Sequence, residues 1–337
     1  MNSASADAAP LAQQLYRLLA DQQIHSGARL AAACDVSHSA IWKAIAALRD
    51  MGVMVHAVPR RGYQLAHAAA APLDTSRIRK ALPAAVAGRL RHAATVWSTG
   101  STNADLLAHT DLPTGHFDFL AAEFQSAGRG RRTRSWIAPP GGAICLSLSW
   151  SFASLPAAIG ALSLAVGVCV LRALERLGIA GVELKWPNDL VAREAKLGGI
   201  LAELRAEATG PAFVVIGVGL NVSLGASILD RIQATGTQAT DLAALTGAVP
   251  DRNTIIAALL AELVAGLLQF ERFGFDAFAT EWRAADALVG KPVRVNVDGG
   301  NVTGHARGID IDGALCVQTR EGLQRFLTGD ASVRALA

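Results

Sequence analysis

The start of the chain switches from helical to extended hydrophobic spacing. Apolar residues recur at intervals of three and four in residues 11–22 and 36–53, which predicts two amphipathic helices with a shorter helical segment between them. Ser37 fits the N-cap of the later helix, and Gly52 fits its end. Residues 53–66 then alternate in polarity around a turn that contains Pro and Gly, the pattern of a β-hairpin. Three helices followed by a hairpin predict a winged helix-turn-helix. The apolar helix positions are Leu11, Leu15, Leu18, Leu19, Ile41, Ile45 and Leu48.

The middle of the chain combines short apolar runs with longer helical patterns. The runs predict strands at residues 90–97, 118–124, 143–150, 182–186, 189–193, 197–206 and 212–218. Helical spacing predicts helices at residues 102–109, 156–178, 253–271 and 275–287. Strands follow one another between helices instead of alternating strictly with them. This order favours an α+β domain with a mixed sheet over a doubly wound parallel sheet.

The chain beyond Lys291 contains short extended runs separated by turns such as the "DGGN" of residues 298–301. This pattern predicts a small all-β barrel or sandwich. Residues 66–74, "AHAAAAPLD", have the composition of a linker. We therefore expect an α+β protein with three domains, at residues 1–66, 67–285 and 286–337.

Composition narrows the class of protein. With 337 residues, of which 51% are hydrophobic and 18% charged, the chain can bury a sizeable core. A net charge of +3 is too small to predict nucleic-acid binding from the total alone, so any basic function must be local. The uncharged residues 155–171 are too short for a membrane span and predict a buried helix, and residues 1–10 do not have the pattern of a signal peptide.

The cysteines are far apart and form no CxxC pair, so we expect neither disulfides nor a zinc site. A reducing, cytoplasmic location is the corresponding expectation. The cysteines are Cys34, Cys145, Cys169 and Cys316.

Residues 125–136, "QSAGRGRRTRSW", hereafter the arginine loop, concentrate positive charge, since no Asp or Glu lies between Glu123 and Glu175. Arginine presents a fork of donors that suits phosphate or carboxylate, and glycine lets a backbone approach a ligand. A nucleic-acid arm and a solvated basic loop remain alternatives. Neither a P-loop nor a helix-opening GxGxxG motif is present.

Three further segments combine polar groups with turns or glycines. "VELKWPNDL" at 182–190 presents Lys185, Asn188 and Asp189 together, although Pro-Asn-Asp is also ordinary turn chemistry. Lys196 opens the apolar run "KLGGILAEL", where it is either a solvated edge charge or a partner for an anion. "GVGLNVS" at 217–223 is a glycine-rich strand end that suits close packing or a ligand.

The predicted winged helix carries polar and basic residues opposite its apolar stripe. Small and basic side chains on the second helix suit the major groove, and arginines at the hairpin turn suit phosphates. The alternative is a small helical module that binds another protein. The DNA-contact candidates are Ser37, Ser39, Lys43, Arg60 and Arg61.

The motifs resemble, in order, those of the biotin–protein ligases of the bifunctional repressor type, the BirA family. The resemblance covers residues 11–335 and rests on "STGSTNADLL", "EFQSAGRGRRTRSW", "ELKWPNDL", "KLGGILAEL", "GVGLNV", "RGIDIDGAL" and "TGDASVR". It implies a winged helix, a mixed-sheet ligase domain and a C-terminal SH3-like β-barrel. It also implies that biotin and Mg-ATP form biotinyl-5′-AMP, from which biotin passes to a lysine of a biotin carboxyl carrier domain.

The resemblance further implies roles for individual residues. Catalysis falls to Lys196, Arg129 and Arg131. The implied biotin contacts are Ser101, Thr102, Asn103, Gln125, Arg129, Gly130, Arg131, Lys196 and Gly217. The implied nucleotide contacts are Arg131, Arg132, Trp136, Asn188, Lys196 and Asn221, with Asp189 as a Mg²⁺ ligand. Gly219 is expected to let its strand lie against the ligand.

Partners and departures follow from the same resemblance. We expect a carrier domain, operator DNA and an adenylate-bound homodimer. Thr133 stands where the family commonly has glycine, and Trp42 and Ala44 stand where it often has polar residues, which affects loop mobility and the DNA sequence recognised. Two alternatives stay open: a lipoate–protein ligase, against which the arginine loop and winged helix argue, and a metabolite-sensing transcription factor without catalysis, against which Lys196 argues.

Overall fold

The structure is a computed structural model that describes residues 8–66, 70–206, 210–297, 300–327 and 331–335. Several segments interpreted above fall partly outside the described residues: the N-terminal stretch, the centre of the linker, the "DGGN" turn and the start of "TGDASVR". The described chain forms a small helical unit, a seven-stranded sheet with helices, and a five-stranded sheet, in that order.

The N-terminal unit is the predicted winged helix-turn-helix. Ser37 caps the third helix, since its Oγ accepts a hydrogen bond from Ala40 N at 3.3 Å. Gly52 follows the helix with a φ of +91°, a conformation that glycine adopts without strain. The elements are α1 (Ala8–Leu18), α2 (Gly27–Cys34), α3 (His38–Asp50), β1 (Val55–Val58) and β2 (Gly62–Leu65).

The core of this unit comes from the predicted helix stripes. Leu15, Leu19, Ile41, Ile45 and Leu48 are all buried, and Leu11 and Leu18 pack at its margin. The hairpin is tied to the chain before α2, because His25 and Tyr63 exchange two backbone hydrogen bonds of 2.9 Å. The wing therefore has a fixed orientation relative to α3.

The central domain contains a mixed sheet, as expected. Its spatial order is β3-β4-β5-β9-β8-β7-β6, in which only β3 and β4 run parallel. All seven predicted strands are confirmed. They are β3 (Leu90–Thr99), β4 (Phe117–Gln125), β5 (Ala143–Phe152), β6 (Glu183–Lys185), β7 (Asp189–Ala192), β8 (Ala195–Ala206) and β9 (Ala212–Asn221).

Helices cover the sheet and close its core. The expected buried helix is confirmed as α7, and α10 packs against it over the sheet. The helix α10 is long and apolar enough to cross a membrane, but 67% of its most apolar window is buried in the protein, as in the core helix of a globular domain. The helices are α4 (Thr75–Ala81), α5 (Ala84–Ala87), α6 (Thr102–Leu107), α7 (Leu162–Arg176), α8 (Ala226–Gln233), α9 (Leu242–Thr246), α10 (Arg252–Phe273) and α11 (Asp276–Ala284).

The C-terminal unit is an antiparallel sheet of order β13-β12-β11-β10-β14, consistent with an SH3-like barrel. The last strand was not predicted as a strand. It returns along β10, pairing Arg334 with Arg294 and Val333 with Val295. The strands are β10 (Pro292–Val297), β11 (Gly300–Ile309), β12 (Leu315–Thr319), β13 (Gly322–Phe326) and β14 (Ala331–Ala335).

The central and C-terminal units meet at Trp186 and Asp286. Trp186 is buried and donates from Nε1 to Gly313 O at 3.1 Å. Asp286 is 8% exposed; its Oδ1 accepts from Leu288 N at 2.8 Å, whereas Oδ2 has no hydrogen-bond partner among the described residues. Burial raises the pKa of Asp286 to about 6.

This carboxyl predicts a pH-dependent stability. The ordinary pKa of an aspartate is 3.8, so between pH 3.8 and about 6 the folded chain binds more protons at Asp286 than the unfolded chain does. Stability therefore falls as pH rises through that window. Asp286→Asn removes the titration. We expect the free energy of unfolding of this variant, minus that of wild type, to be about 2 kcal/mol larger at pH 7 than at pH 4. Urea unfolding at both pH values measures this, and a pH-independent difference would contradict it.

Candidate ligand site

A cavity of about 430 Å³ opens on the central sheet beside the arginine loop. This volume suits a small organic ligand. The residues assigned to the ligands from the sequence all line this cavity: Ser101, Thr102, Asn103, Gln125, Arg129, Gly130, Arg131, Arg132, Trp136, Asn188, Asp189, Lys196, Gly217 and Asn221. Segments separated by more than a hundred residues in the chain therefore converge on one site.

The hairpin of β7 and β8 joins Lys196 to Asp189. Lys196 Nζ donates to Asp189 Oδ1 at 2.6 Å, and both side chains are about one quarter exposed. Asn188 anchors the preceding turn, because its Nδ2 donates to Ile200 O at 2.6 Å. The ammonium group is thus held at the cavity wall while it stays accessible to a ligand.

A segment between α8 and α9 forms the wall behind Lys196. Lys196 N donates to Gln238 O at 2.8 Å, and Thr240 N donates to Lys196 O at 2.9 Å. Asn221 Nδ2 donates to Thr240 O at 2.9 Å, but its buried Oδ1 has no partner in the described part of the chain. Asn221 lines the cavity, so this unsatisfied acceptor lies in the cavity wall.

The other end of the cavity holds a hydrogen-bonded network. Gln125 Oε1 accepts from Thr102 N at 2.8 Å and from Thr102 Oγ1 at 3.0 Å. Ser147 Oγ lies 2.7 Å from Thr102 Oγ1 and 2.5 Å from Asn103 Oδ1. Asn103 Nδ2 donates to Glu203 Oε2 at 2.8 Å. The amide and hydroxyl groups of this network are fixed in position, with Glu203 holding Asn103 from behind, which suits recognition of an uncharged polar ligand.

Two glycines of β9 make room for site side chains. A Cβ on Gly217 would lie 2.5 Å from Asn103 Oδ1, and one on Gly219 would lie 2.7 Å from the Trp136 ring. The expectation was that these glycines admit the ligand to the strand. In the structure the space beside these glycines is occupied by the side chains of Asn103 and Trp136.

The arginine loop is a short hairpin. Gly130 N donates to Arg134 O at 2.7 Å, and Trp136 N donates to Gly128 O at 2.8 Å. Arg129 reaches Glu203 with an Nη2–Oε1 distance of 3.5 Å. The Thr133 side chain, which bears on the expected loop mobility, lies outside the described part of the structure. At the loop's end Trp136 packs over the apolar side chains of Ala138, Ala143 and Cys145.

Positive charge dominates one end of the cavity. Among the described lining residues Asp189 is the only carboxylate, whereas the cations are Arg129, Arg131, Arg132, Arg134, Lys196 and Arg334. Burial lowers the pKa of Arg131, and the charge of Arg132 lowers it further. Burial also lowers the pKa of the neighbouring Lys185, with Asp189 opposing and Lys196 adding to the shift. Such a cluster attracts a polyanion.

The side chains that line the cavity suit a metal ion that enters the site already bound to the phosphates of a ligand. No group of three or more His, Cys, Asp and Glu side chains comes together in the described residues. Mg²⁺ usually keeps waters and substrate phosphates and takes only one or two carboxylates from the protein. Asp189 can supply one such carboxylate, so the residues fit a phosphate-borne Mg²⁺.

The residues expected to contact DNA lie on the winged helix. Ser39 and Lys43 are exposed on α3, and Arg60 and Arg61 are exposed at the wing turn. Ser37 uses its hydroxyl to cap α3. Trp42 is 65% exposed beside Lys43. Ala44 is 1% exposed and packs in the core, so of the two noted departures only Trp42 changes the exposed face.

Sequence reasoning missed several residues of the site. Ser147 could have been noticed, since Ser147, Ser149 and Ser151 alternate along a strand that is buried on both faces. Glu203 is likewise the lone acid of an apolar strand. No local pattern marks Thr235 or Thr237, which reach the cavity only through the tertiary fold, and Arg334, although it ends the segment "TGDASVR", was not assigned to a ligand.

Comparison with known families covers the same three units. A model described as "Biotin/lipoate A/B protein ligase family" matches residues 95–221. One described as "Biotin protein ligase C terminal domain" matches residues 288–334, and an "HTH domain" model matches residues 11–64.

Individual relatives extend over most of the chain. The chain is 36% identical to the bifunctional ligase/repressor BirA of Salmonella typhimurium over 95% of this chain and 97% of that protein. It is 42% identical to a biotin–[acetyl-CoA-carboxylase] ligase of Mycobacterium tuberculosis over 73% of this chain and 90% of that protein. A structure of the Aquifex aeolicus biotin protein ligase in complex with biotin and ATP superposes with a TM-score of 0.61 and 27% identity, covering 73% of this chain and 100% of that one.

Proposed function

Because this chain belongs to the family of bifunctional biotin–protein ligases and repressors, we propose that it activates biotin with ATP and biotinylates a carrier protein. The observation that carries the proposal is a cavity lined both by amide and hydroxyl groups fixed in a network and by clustered cations. A vitamin with an uncharged ring system and a carboxylate tail, joined to a nucleotide phosphate, matches this division. The protein also binds DNA through its winged helix.

The first step forms a mixed anhydride. A carboxylate oxygen of biotin attacks the α-phosphorus of ATP, a C–O–P bond forms, and pyrophosphate leaves with the electron pair of the broken bond. Lys196 lies where it offsets the negative charge of both reacting groups, with Asp189 holding its Nζ at 2.6 Å. Arg129 and Arg131 add positive charge from the arginine loop. The enzyme supplies position and charge, and no covalent group.

We assign biotin to the part of the cavity that the polar network lines. Amide and hydroxyl groups of Ser101, Thr102, Asn103 and Gln125 offer both donors and acceptors to the ureido ring or the valerate chain. Gly217 allows Asn103 to sit against β9. Gly130 of the arginine loop lies over the same end.

The nucleotide falls at the cationic end. Arg131, Arg132 and Lys196 face its phosphates, and Trp136 offers a flat ring to pack on the adenylate. Asn188 and Asn221 are the remaining polar contacts. Mg²⁺ would arrive with the ATP phosphates and neutralise part of their charge, with Asp189 as its protein ligand.

In the second step the ε-amine of a carrier lysine attacks the acyl carbon of the adenylate. An amide forms, AMP leaves, and the amine proton passes to solvent. The arginine loop, closed over the cavity, keeps water from the anhydride until the carrier docks. The carrier is a biotin carboxyl carrier domain.

The regulatory proposal joins the ligase to the winged helix. The adenylate-bound chain forms a homodimer, whose two winged helices bind a two-fold operator. The three domains, at residues 1–66, 67–285 and 286–337, work together in the cytoplasm. Ser37, Ser39, Lys43, Arg60 and Arg61 contact the operator.

Substitutions on the exposed face of the winged helix should weaken DNA binding without affecting biotinylation. Lys43→Ala and Arg60→Ala each remove an exposed cation from the DNA face, so we expect each to reduce the slope of log affinity against log salt by about 1. Biotinylation by these variants should match wild type, since both residues lie outside the cavity. Salt-dependent fluorescence anisotropy on operator DNA measures the slope. A variant with reduced ligase activity and an unchanged slope would contradict the assignment.

The ligase proposal is tested by following both steps with purified full-length protein. Biotin and Mg-ATP should release pyrophosphate, and a carrier domain should then gain one biotin, detected by mass spectrometry. Lipoate in place of biotin separates this proposal from lipoate ligation, because the matched family model includes both activities. Transfer of lipoate alone would overturn the assignment. DNA binding without either transfer would favour a non-catalytic sensor.

A further inference from the structure

A buried ion pair outside the ligand cavity joins three separate segments of the chain. Glu123 on β4 and Arg252 at the start of α10 contact each other through both carboxylate oxygens, at 2.6 and 3.0 Å. Their side chains are 6% and 0% exposed. An isolated charge so deeply buried is strongly unfavourable, so the remaining partners of this pair are informative.

The remaining partners are backbone groups of the linker and of the turn that follows the arginine loop. Glu123 accepts from Leu73 N at 2.8 Å and from Gly141 N at 3.1 Å. Arg252 donates to Ala71 O at 2.9 Å and to Ala143 O at 3.3 Å. One ion pair therefore holds the linker, the turn and the first residue of β5.

The side chain of the neighbouring Asn253 forms hydrogen bonds with the linker and not with the turn. Its Oδ1 accepts from Asp74 N at 2.8 Å, and its Nδ2 donates to Pro72 O at 3.0 Å. Asn253 is 2% exposed. The described residues 70–74 of the linker are thus fixed to α10 rather than free.

The winged helix contacts the same turn from the other side. The Tyr16 hydroxyl of α1 lies 3.5 Å from Pro140 O, and the Tyr16 ring packs on Trp97 with centroids 5.4 Å apart. Burial and then the nearby charge of Glu123 raise the pKa of Tyr16 to about 12. Gln125 begins the arginine loop and Gly141 lies in the turn that follows it, so both flanks of the loop are within two residues of a group beside Tyr16, namely Glu123 and Pro140.

We propose that Glu123 and Arg252 are positioning residues that couple the ordering of the arginine loop to the seating of the winged-helix linker. The inference rests on the proposed function, since biotin and ATP are the ligands that order the loop. This buried network, in which Arg252 Nε alone has no partner among the described residues, resists partial rupture, because a segment that moves alone leaves charged groups unpaired. Loop and linker therefore shift together.

Hydrogen–deuterium exchange of the full chain tests this coupling without any DNA. In wild type, biotin plus Mg-ATP should slow amide exchange in residues 126–136 and also in residues 70–77, the latter by at least about 5-fold. Asn253→Ala should leave the slowing in the loop intact and reduce that in the linker to under about 2-fold. Glu123→Gln should reduce both.

The controls keep each outcome decisive. Glu281→Gln disrupts another bidentate ion pair, with Arg172 at 2.6 and 2.8 Å, that touches neither segment, and should behave as wild type. If Glu123→Gln fails to fold, Arg252→Lys takes its place: it keeps the charge, loses the bidentate contact with Glu123 and should likewise reduce both. A protected loop with an unprotected linker in wild type, or full linker protection in Asn253→Ala, overturns the coupling. A wild-type loop that biotin and ATP leave unprotected contradicts the proposed function and the coupling with it.

Discussion

Lys196→Gln is expected to lower the rate of biotin-dependent pyrophosphate release by about 10²- to 10³-fold. The ammonium group is the cation that the fold places most firmly at the reacting end of the cavity, held by Asp189 at 2.6 Å. Its removal also leaves the Asp189 carboxylate without its partner, facing phosphate. Both changes raise the energy of a transition state in which negative charge accumulates on the α-phosphate. Steady-state pyrophosphate release at saturating biotin and ATP measures this change in rate.

The controls separate charge from fold. Lys291→Gln removes a lysine of the same charge whose Nζ lies 3.3 Å from exposed Glu194, away from the cavity, and should leave the rate unchanged. Lys196→Arg keeps the charge but moves it, so it should recover part of the loss. A Lys196→Gln rate within about 3-fold of wild type, far short of the loss of a preorganised donor, would rule out the electrostatic role.

The repetitive parts of this fold were predictable because their patterns are local. All seven strands of the central sheet, and the helix stripe of Ile41, Ile45 and Leu48, follow from the spacing of apolar residues. Helices α4, α5, α8 and α9 were missed because each is only one or two turns long, too short for its periodicity to show. Strand β14 was missed for another reason: it is defined by its pairing with β10.

The ligand site divides in the same way. Every ligand residue assigned from a motif lines one cavity. These residues could be found in the sequence because glycine, turn and charge patterns involve consecutive residues. The supporting residues were not identified: Glu123 and Arg252 are 129 positions apart, and although Glu123 opens the segment "EFQSAGRGRRTRSW", no pattern links it to Arg252. Arg334 enters the cavity from a third domain. Sequence patterns thus locate the groups that touch a ligand better than the groups that hold them.

The difference between touching a ligand and holding another residue in place should have its largest effect at Gly217. It belongs to a motif, yet its function is to accommodate Asn103, whose Oδ1 would lie 2.5 Å from an added Cβ. Asn103 is 4% exposed and hydrogen-bonded to Glu203, with Ser147 Oγ 2.5 Å from its Oδ1, so it cannot turn aside without breaking the network at the biotin end.

Gly217→Ala is therefore expected to raise the KM for biotin by about 10²-fold, because a displacement of about 1 Å in a positioning group has effects of this size. The KM for ATP should change little, since Lys196 pairs with Asp189 and belongs to no part of the network that Asn103 forms with Ser147 and Glu203. Gly88→Ala is the matched control: its Cβ would meet only Ala84 O, at 3.5 Å, outside the cavity. Initial rates over a grid of biotin and ATP concentrations, with thermal unfolding to verify the fold, separate the two constants. An equal rise in both would mean that the substitution disturbs the whole sheet, and that Asn103 does not position biotin.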